Sequence, residues 1–180
     1  MRRMLKRRSW LVSAALVALG SAASCSSGEE GGAGEARVLA EGTVEWGNGQ
    51  PAEHFDWNLA EIAGFTHAVT FNTISQDRLS TRSAARQGPD DDLWFTAAAL
   101  GDGAPVMVFG GAADDVDQVV LVDAAGAQLR VDLEPVPDRD WQVAVAQLPA
   151  GWPDPAAPRL DVVGLADGAE VAREPLAGLS

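Results

Sequence analysis

Residues 160–174, LDVVGLADGAEVARE, decide the fold class. Val162–Leu165 and Glu170–Glu174 flank Asp167-Gly168, and both turn residues tolerate the positive φ of a type I′ turn. The stretch therefore reads as a β-hairpin. Asp123-Ala124-Ala125-Gly126 has the same role in the preceding hairpin. Outward from these turns, apolar and polar residues alternate with period two, as one-sided strands require. Phe55, Trp57 and Leu59 form one stripe, and Phe65, His67, Val69 and Phe71 a second. Leu129, Val131 and Leu133 form a third, and Trp141, Val143 and Val145 a fourth. Trp57 and Trp141 lie on such stripes and are expected in the core. Val106–Phe109 and Val119–Val122 are unbroken apolar runs, the pattern of strands buried on both faces. Six prolines from Pro135 to Pro158 fall between strand candidates, as the missing N–H demands. No long 3.6-residue pattern competes. The expectation is all-β: a single antiparallel β-sandwich domain over residues 37–180, built from about eight short strands. The chain has no tyrosine, so it lacks the tyrosine corner, and an immunoglobulin-like label would be topological only.

The N-terminus has a different logic. Arg2, Arg3, Lys6, Arg7 and Arg8 precede an apolar run from Trp10 to Leu19, and the small residues 21–24 lead to Cys25. A basic region, a short apolar region and a small-residue cleavage site make a secretory targeting segment, assigned to residues 1–24. The apolar run falls short of the roughly 20 residues a membrane span needs. Residues 22–25, AASC, resemble a lipobox, with Ala22 where Leu is most common. This resemblance to bacterial, actinobacterial-like lipoproteins implies acylation of Cys25 by chains such as palmitate. It also implies residence at the outer face of the cytoplasmic membrane. Two or three chains would hold the protein stably, since each buried CH₂ contributes ~0.8 kcal/mol. Arg7-Arg8-Ser9-Trp10-Leu11 resembles the twin-arginine pattern, so both that route and general secretion stay open. Residues 25–36 comprise the lipidated cysteine and a Ser/Gly-rich tether whose composition cannot bury a core.

Loss of residues 1–24 leaves 156 residues that keep all 26 Asp and Glu but only eight of the 13 Lys and Arg. The net charge then steepens from −13 to −18. Such a domain is repelled by phosphate backbones, which argues against nucleic-acid binding. With its one cysteine reserved for lipid, the domain has no disulfide and depends on its core.

No G-x-S-x-G elbow is present, and the mature chain has no lysine for an S-x-x-K motif, so no catalytic residue is assigned. His54 beside Glu53, or His67 on its apolar stripe, would serve an envelope-acting enzyme only with a carboxylate brought close by the fold. Zinc is not expected from two separated histidines. Calcium has weak candidates in Asp90, Asp91, Asp92, Asp114, Asp115 and Asp117, which do not follow the spaced D-x-D-x-D-G pattern. Arg78, Arg82 and Arg86 recur every four residues and would share one helix face, a candidate patch for an anion or partner. Trp46 and Trp152 stand beside Gly and Pro, where indoles serve as partner contacts or as plugs for the open end of a sandwich.

Four further pieces carry a second resemblance: PVMVFGG (105–111), DVDQVVLVDAAG (115–126), WQVAVAQLP (141–149) and LDVVGLADGAEVA (160–172). In this order they are similar to a C-terminal β-domain of exported actinobacterial proteins, which implies a β-fold and no particular activity. The functional expectation is a lipid-anchored extracytoplasmic binding or scaffolding domain without a cofactor. Its partners would be the membrane, through the anchor, and a protein or cell-wall component. The alternatives are an envelope-acting enzyme using His54 or His67, and a calcium-stabilised surface module.

Overall fold

The computed structural model of the chain describes residues 36–46, 53–62, 65–75, 78–88, 90–99, 104–154 and 157–179. The signal segment, Cys25 and the tether up to residue 35 lie outside them. Among the described residues there are twelve strands and no helix. The strands are β1 (Arg37–Trp46), β2 (Glu53–Glu61), β3 (Ala68–Ser75), β4 (Arg78–Ala85), β5 (Leu93–Ala99) and β6 (Val106–Ala113). After them come β7 (Gln118–Asp123), β8 (Gln128–Val131), β9 (Glu134–Pro135), β10 (Trp141–Gln147), β11 (Leu160–Ala166) and β12 (Ala169–Pro175).

They form an all-β, sandwich-like fold of three antiparallel sheets, with no barrel closure. The first sheet has the order β1-β2-β3-β4, the central sheet β5-β6-β10-β9 and the third β12-β11-β7-β8. Sandwich packing therefore occurs twice, with the central sheet shared. One core lies between the central and third sheets and includes Phe95, Val108, Leu121, Ala144 and Val162. The other lies between the central and first sheets and includes Leu59, Phe71, Trp94, Phe109, Trp141 and Val143.

Because successive strand residues point to opposite faces, the central strands must be apolar at every position. β6 obeys: Val108 and Ala112 enter one core, Met107 and Phe109 the other. β5 splits Leu93, Phe95 and Ala97 from Trp94 and Ala98 in the same way. The apolar run at Val106–Phe109 is thus buried on both sides. The run at Val119–Val122 belongs to the third sheet, where Val119 and Leu121 enter the core and Val122 is only half-buried. Trp141 is in the core, 1% exposed, whereas Trp57 is partly buried and stacks on Phe71 at 5.5 Å. Phe71 in turn stacks on Phe109 at 5.0 Å, linking the first and central sheets ring upon ring. Phe65 leaves its stripe, because β3 begins at Ala68 and the ring is 63% exposed.

The turns follow the expected chemistry. Asp167 (φ 51°) and Gly168 (φ 78°) both adopt positive φ between the paired Ala166 and Ala169. In the β7–β8 turn, Asp123 Oδ1 accepts the N–H groups of Ala125 and Ala127 at 2.9 and 2.8 Å.

Gly111 sits where the central sheet packs tightly on an indole. A Cβ there would stand 2.5 Å from the Trp94 ring, which lies flat across the glycine. Gly111→Ala should therefore destabilise the fold by about 1–3 kcal/mol, the usual range for overpacking. Gly88→Ala meets its nearest atom at an ordinary 3.6 Å and should be much milder. Denaturant unfolding of the two variants checks the difference.

Candidate functional site

Antiparallel pairing sends alternate connections to the same end of the molecule. The β4–β5 loop (Asp90–Asp92), the β6–β7 loop (Asp114, Asp115, Asp117), the β9–β10 turn (Asp138, Asp140) and the β11–β12 turn (Asp167) are joined there by direct contacts. Ala113 N–H donates to Asp92 O at 2.9 Å, and Asp114 N–H to Asp140 O at 3.2 Å. Asp167 N–H donates to Asp117 Oδ2 at 2.7 Å. β1 also begins at this end, since Arg37 pairs with Glu61 at the end of β2 and its Nη1 donates to Pro137 O at 3.3 Å. The end at which β1 begins is therefore densely acidic.

Beneath these loops, residues 137–140 clamp the first sheet to the central one. Arg139 Nε donates to Glu61 Oε1 at 2.8 Å, and Glu61 is buried. That hydrogen bond and the paired charge push the Arg139 guanidinium further above its already high ordinary pKa. One residue on, Asp140 Oδ1 lies 3.3 Å from His67 Nε2, within ion-pair reach though not aligned as a hydrogen bond. Thr66 Oγ1 sits 2.9 Å from the other ring nitrogen. The imidazole is boxed by Trp94 (centroids 5.8 Å apart) and Trp141 (6.1 Å), with the Arg86 guanidinium 5.8 Å from the Trp94 ring. Both nitrogens of His67 thus have structural neighbours, and the group fastens two sheets together. His54 stands elsewhere, exposed on β2 opposite Glu45.

Two of the calcium candidates serve the loops. Asp91 Oδ2 accepts the N–H groups of Gln87 and Gly88 at 3.0 and 2.7 Å, and Asp117 caps the β11–β12 turn. Among the described residues, no three His, Cys, Asp or Glu side chains converge closely enough to hold a metal ion. Asp90, Asp91 and Asp92 do face Arg173 and Glu174 across a cleft of about 280 Å³. The Arg173 guanidinium is held by Glu170 (2.7 Å) and Asp161 (3.2 Å), which raise its pKa, while Glu170's is lowered. Glu174 Oε1 accepts Phe95 N–H at 3.1 Å. Burial nevertheless holds the Glu174 carboxyl above its usual range, opposed by that hydrogen bond and assisted by Asp91.

Trp152 packs partly buried against the core between the central and third sheets, and its indole N–H donates to Asp123 Oδ2 at 2.8 Å. Trp46 is the last residue of β1, opposite Glu53; its side chain lies outside the described set. The three arginines fall on a strand and its exit rather than a helix. Arg78 opens β4, Arg82 is exposed within it and Arg86 follows it. A spacing of four is even, so it keeps residues on one face of a strand as readily as on a helix.

Sequence reasoning missed the box around His67 and the Glu61–Arg139 pair. Leu93-Trp94-Phe95 carried a usable signal, being three consecutive large apolar residues of the kind read correctly at Val106–Phe109. Comparison with protein-family models, curated proteins and solved structures returns no match to this chain.

The raised Glu174 pKa has a defined sign. A carboxyl held above its unfolded value contributes stability fully below that value and loses it as pH rises through the folded one. Glu174→Gln should accordingly raise the melting temperature near pH 7, with the gain vanishing near pH 3. Thermal melts at both pH values check it.

Proposed function

We propose that the chain is a lipid-anchored, extracytoplasmic binding or scaffolding module. Its targeting segment and Cys25 would set the location, and a sheet surface would do the binding. One observation supports binding above the alternatives: Ile74 and Leu79 lie directly opposite each other on the first sheet, 52% and 68% exposed. The same face carries a row of hydrogen-bonded polar side chains. Asn72 Nδ2 donates to Asn58 Oδ1 at 2.8 Å, and Thr81 Oγ1 donates to Asn72 Oδ1 at 3.0 Å, tying β2, β3 and β4 in a row. Thr43 Oγ1 donates to Asp56 Oδ1 at 2.8 Å in the next row. An ordered polar face carrying a paired apolar contact has the composition of a protein-binding surface, an apolar centre within a polar rim.

The tether fits this role. The 11 residues 26–36 are Ser/Gly-rich, the composition of a linker between a lipid anchor and a folded domain. The acidic end that receives the tether would face anionic headgroups and be pushed away from them. The first sheet then stands clear of the membrane.

Cys25→Ser should move the protein from the membrane fraction to the soluble fraction. A photo-cross-linking residue at Leu79 should trap a discrete partner in intact cells, while one at exposed Gln128 on the third sheet should not. Fractionation and cross-linked adduct mass read the two outcomes separately. Failure of the first removes the anchor, and failure of the second removes the binding surface.

A further inference from the structure

Three open sheets have six edges, and an unprotected edge invites pairing with another chain. Five of the six are blunted. β1 is bulged between Val38 and Ala40. β12 pairs through a second irregularity at Gly164/Leu165, carries Glu170, Arg173 and Glu174, and ends at Pro175. β8 has four residues, and β9 has two and ends in proline. β5 is covered from its side: Ala97 N–H donates to Ala177 O at 2.8 Å and Phe95 N–H to Glu174.

β4 is the exception among the described residues. It pairs with β3 in unbroken register from Ala68↔Ala85 to Ser75↔Arg78, over eight residues without proline. The outward backbone groups can be assigned. Arg86 N–H donates to His67 O, so the hydrogen-bonded pairs alternate inward from there to residues 84, 82, 80 and 78. The N–H and C=O groups of Leu79, Thr81, Ser83 and Ala85 consequently point away from β3. Leu79 supplies an exposed apolar side chain on one face. On the opposite face stands exposed Arg82, which has no carboxylate partner among the described residues. Residues 62–88 hold one acid, Asp77, against Arg78, Arg82 and Arg86, within a mature chain of net charge −18. Salt screens charges beyond ~8 Å, so this local sign prevails at the edge.

We infer that β4 is the strand-addition site for an extended partner segment that alternates apolar residues with carboxylates. The apolar residues would align with Leu79 and Ile74, and the carboxylates with Arg82, because side chains directly opposite on neighbouring strands share a face. Backbone hydrogen bonds supply affinity in this mode, and the alternating side chains supply selectivity. The inference rests on the binding role proposed above and names the edge and chemistry that would perform it.

The test uses the full chain in detergent with two synthetic peptides, one alternating Val and Glu, the other Val and Lys. The Val–Glu peptide should bind and slow amide exchange at Leu79, Thr81 and Ser83, and the Val–Lys peptide should not. Ser83→Pro removes an outward N–H without touching the ladder to β3, and should weaken binding about tenfold. Arg82→Glu keeps every backbone group and should reverse the preference toward the Val–Lys peptide. Unchanged exchange at β6 verifies that each variant is folded. Equal binding of both peptides, protection at another edge, or self-pairing of β4 without peptide would overturn the inference. A partner trapped at Leu79 alongside failure of the peptide test would leave the binding role standing without strand addition.

Discussion

The structure depends on a central sheet with no solvent-facing side. β5, β6 and β10 must supply apolar or very small side chains at nearly every position, because each face abuts a different core. That requirement explains the glycines at 110 and 111, which leave room for Phe95 and Trp94, and the alanines at 112 and 144. It also explains how a chain without a disulfide holds twelve strands in one compact unit. Close packing supplies what a cross-link would otherwise supply. The chain Trp57–Phe71–Phe109 carries that packing from the first sheet into the second, with about 0.5–1.5 kcal/mol per aromatic pair beyond simple burial.

Electrostatics are handled at the periphery. Nine aspartates lie in connections at one end, where Asp91 and Asp117 accept backbone N–H groups and so exchange water for loop structure. The Pro137–Asp140 turn is where this acid meets the core: Arg139 neutralises buried Glu61, and Asp140 approaches His67 between two indoles. These contacts explain how so acidic a chain tolerates close packing of its sheets. Among the described residues Glu61 is the one buried carboxylate, and a guanidinium matches it, while the other charges stay nearer solvent. By contrast, β3 and β4 carry no acid whereas β1 and β2 carry five, so the β4 side of the first sheet is its less repulsive side toward an acidic partner.

Period-two alternation and turn residues made the all-β class legible in the sequence. Asp167-Gly168 located a hairpin to the residue, because only a positive φ at both positions lets two strands meet there. The third layer was harder to read. An apolar run announces burial on both faces but not which two sheets provide it. Residues 78–86 show a further limit: the four-residue spacing of the arginines satisfies a helix and a strand alike, so tertiary pairing with β3 had to decide. The His67 environment was invisible for a different reason. Its neighbours include positions 94, 140 and 141, and no local pattern encodes contacts that reach across as many as seventy-four residues. Cys25 and the segment before it lie outside the described residues, and the address proposed from them is independent of how the sheets fold.

If the central sheet is the element on which the other two depend, its amides should be the last to open. Native-state hydrogen exchange measures this residue by residue. Val108, Phe109 and Val143 should exchange only through global unfolding, while amides of β4 and β12 exchange through smaller local openings. Faster exchange in β6 than in the first sheet would contradict this dependence, and would show the first sheet folding independently of the layer it packs on.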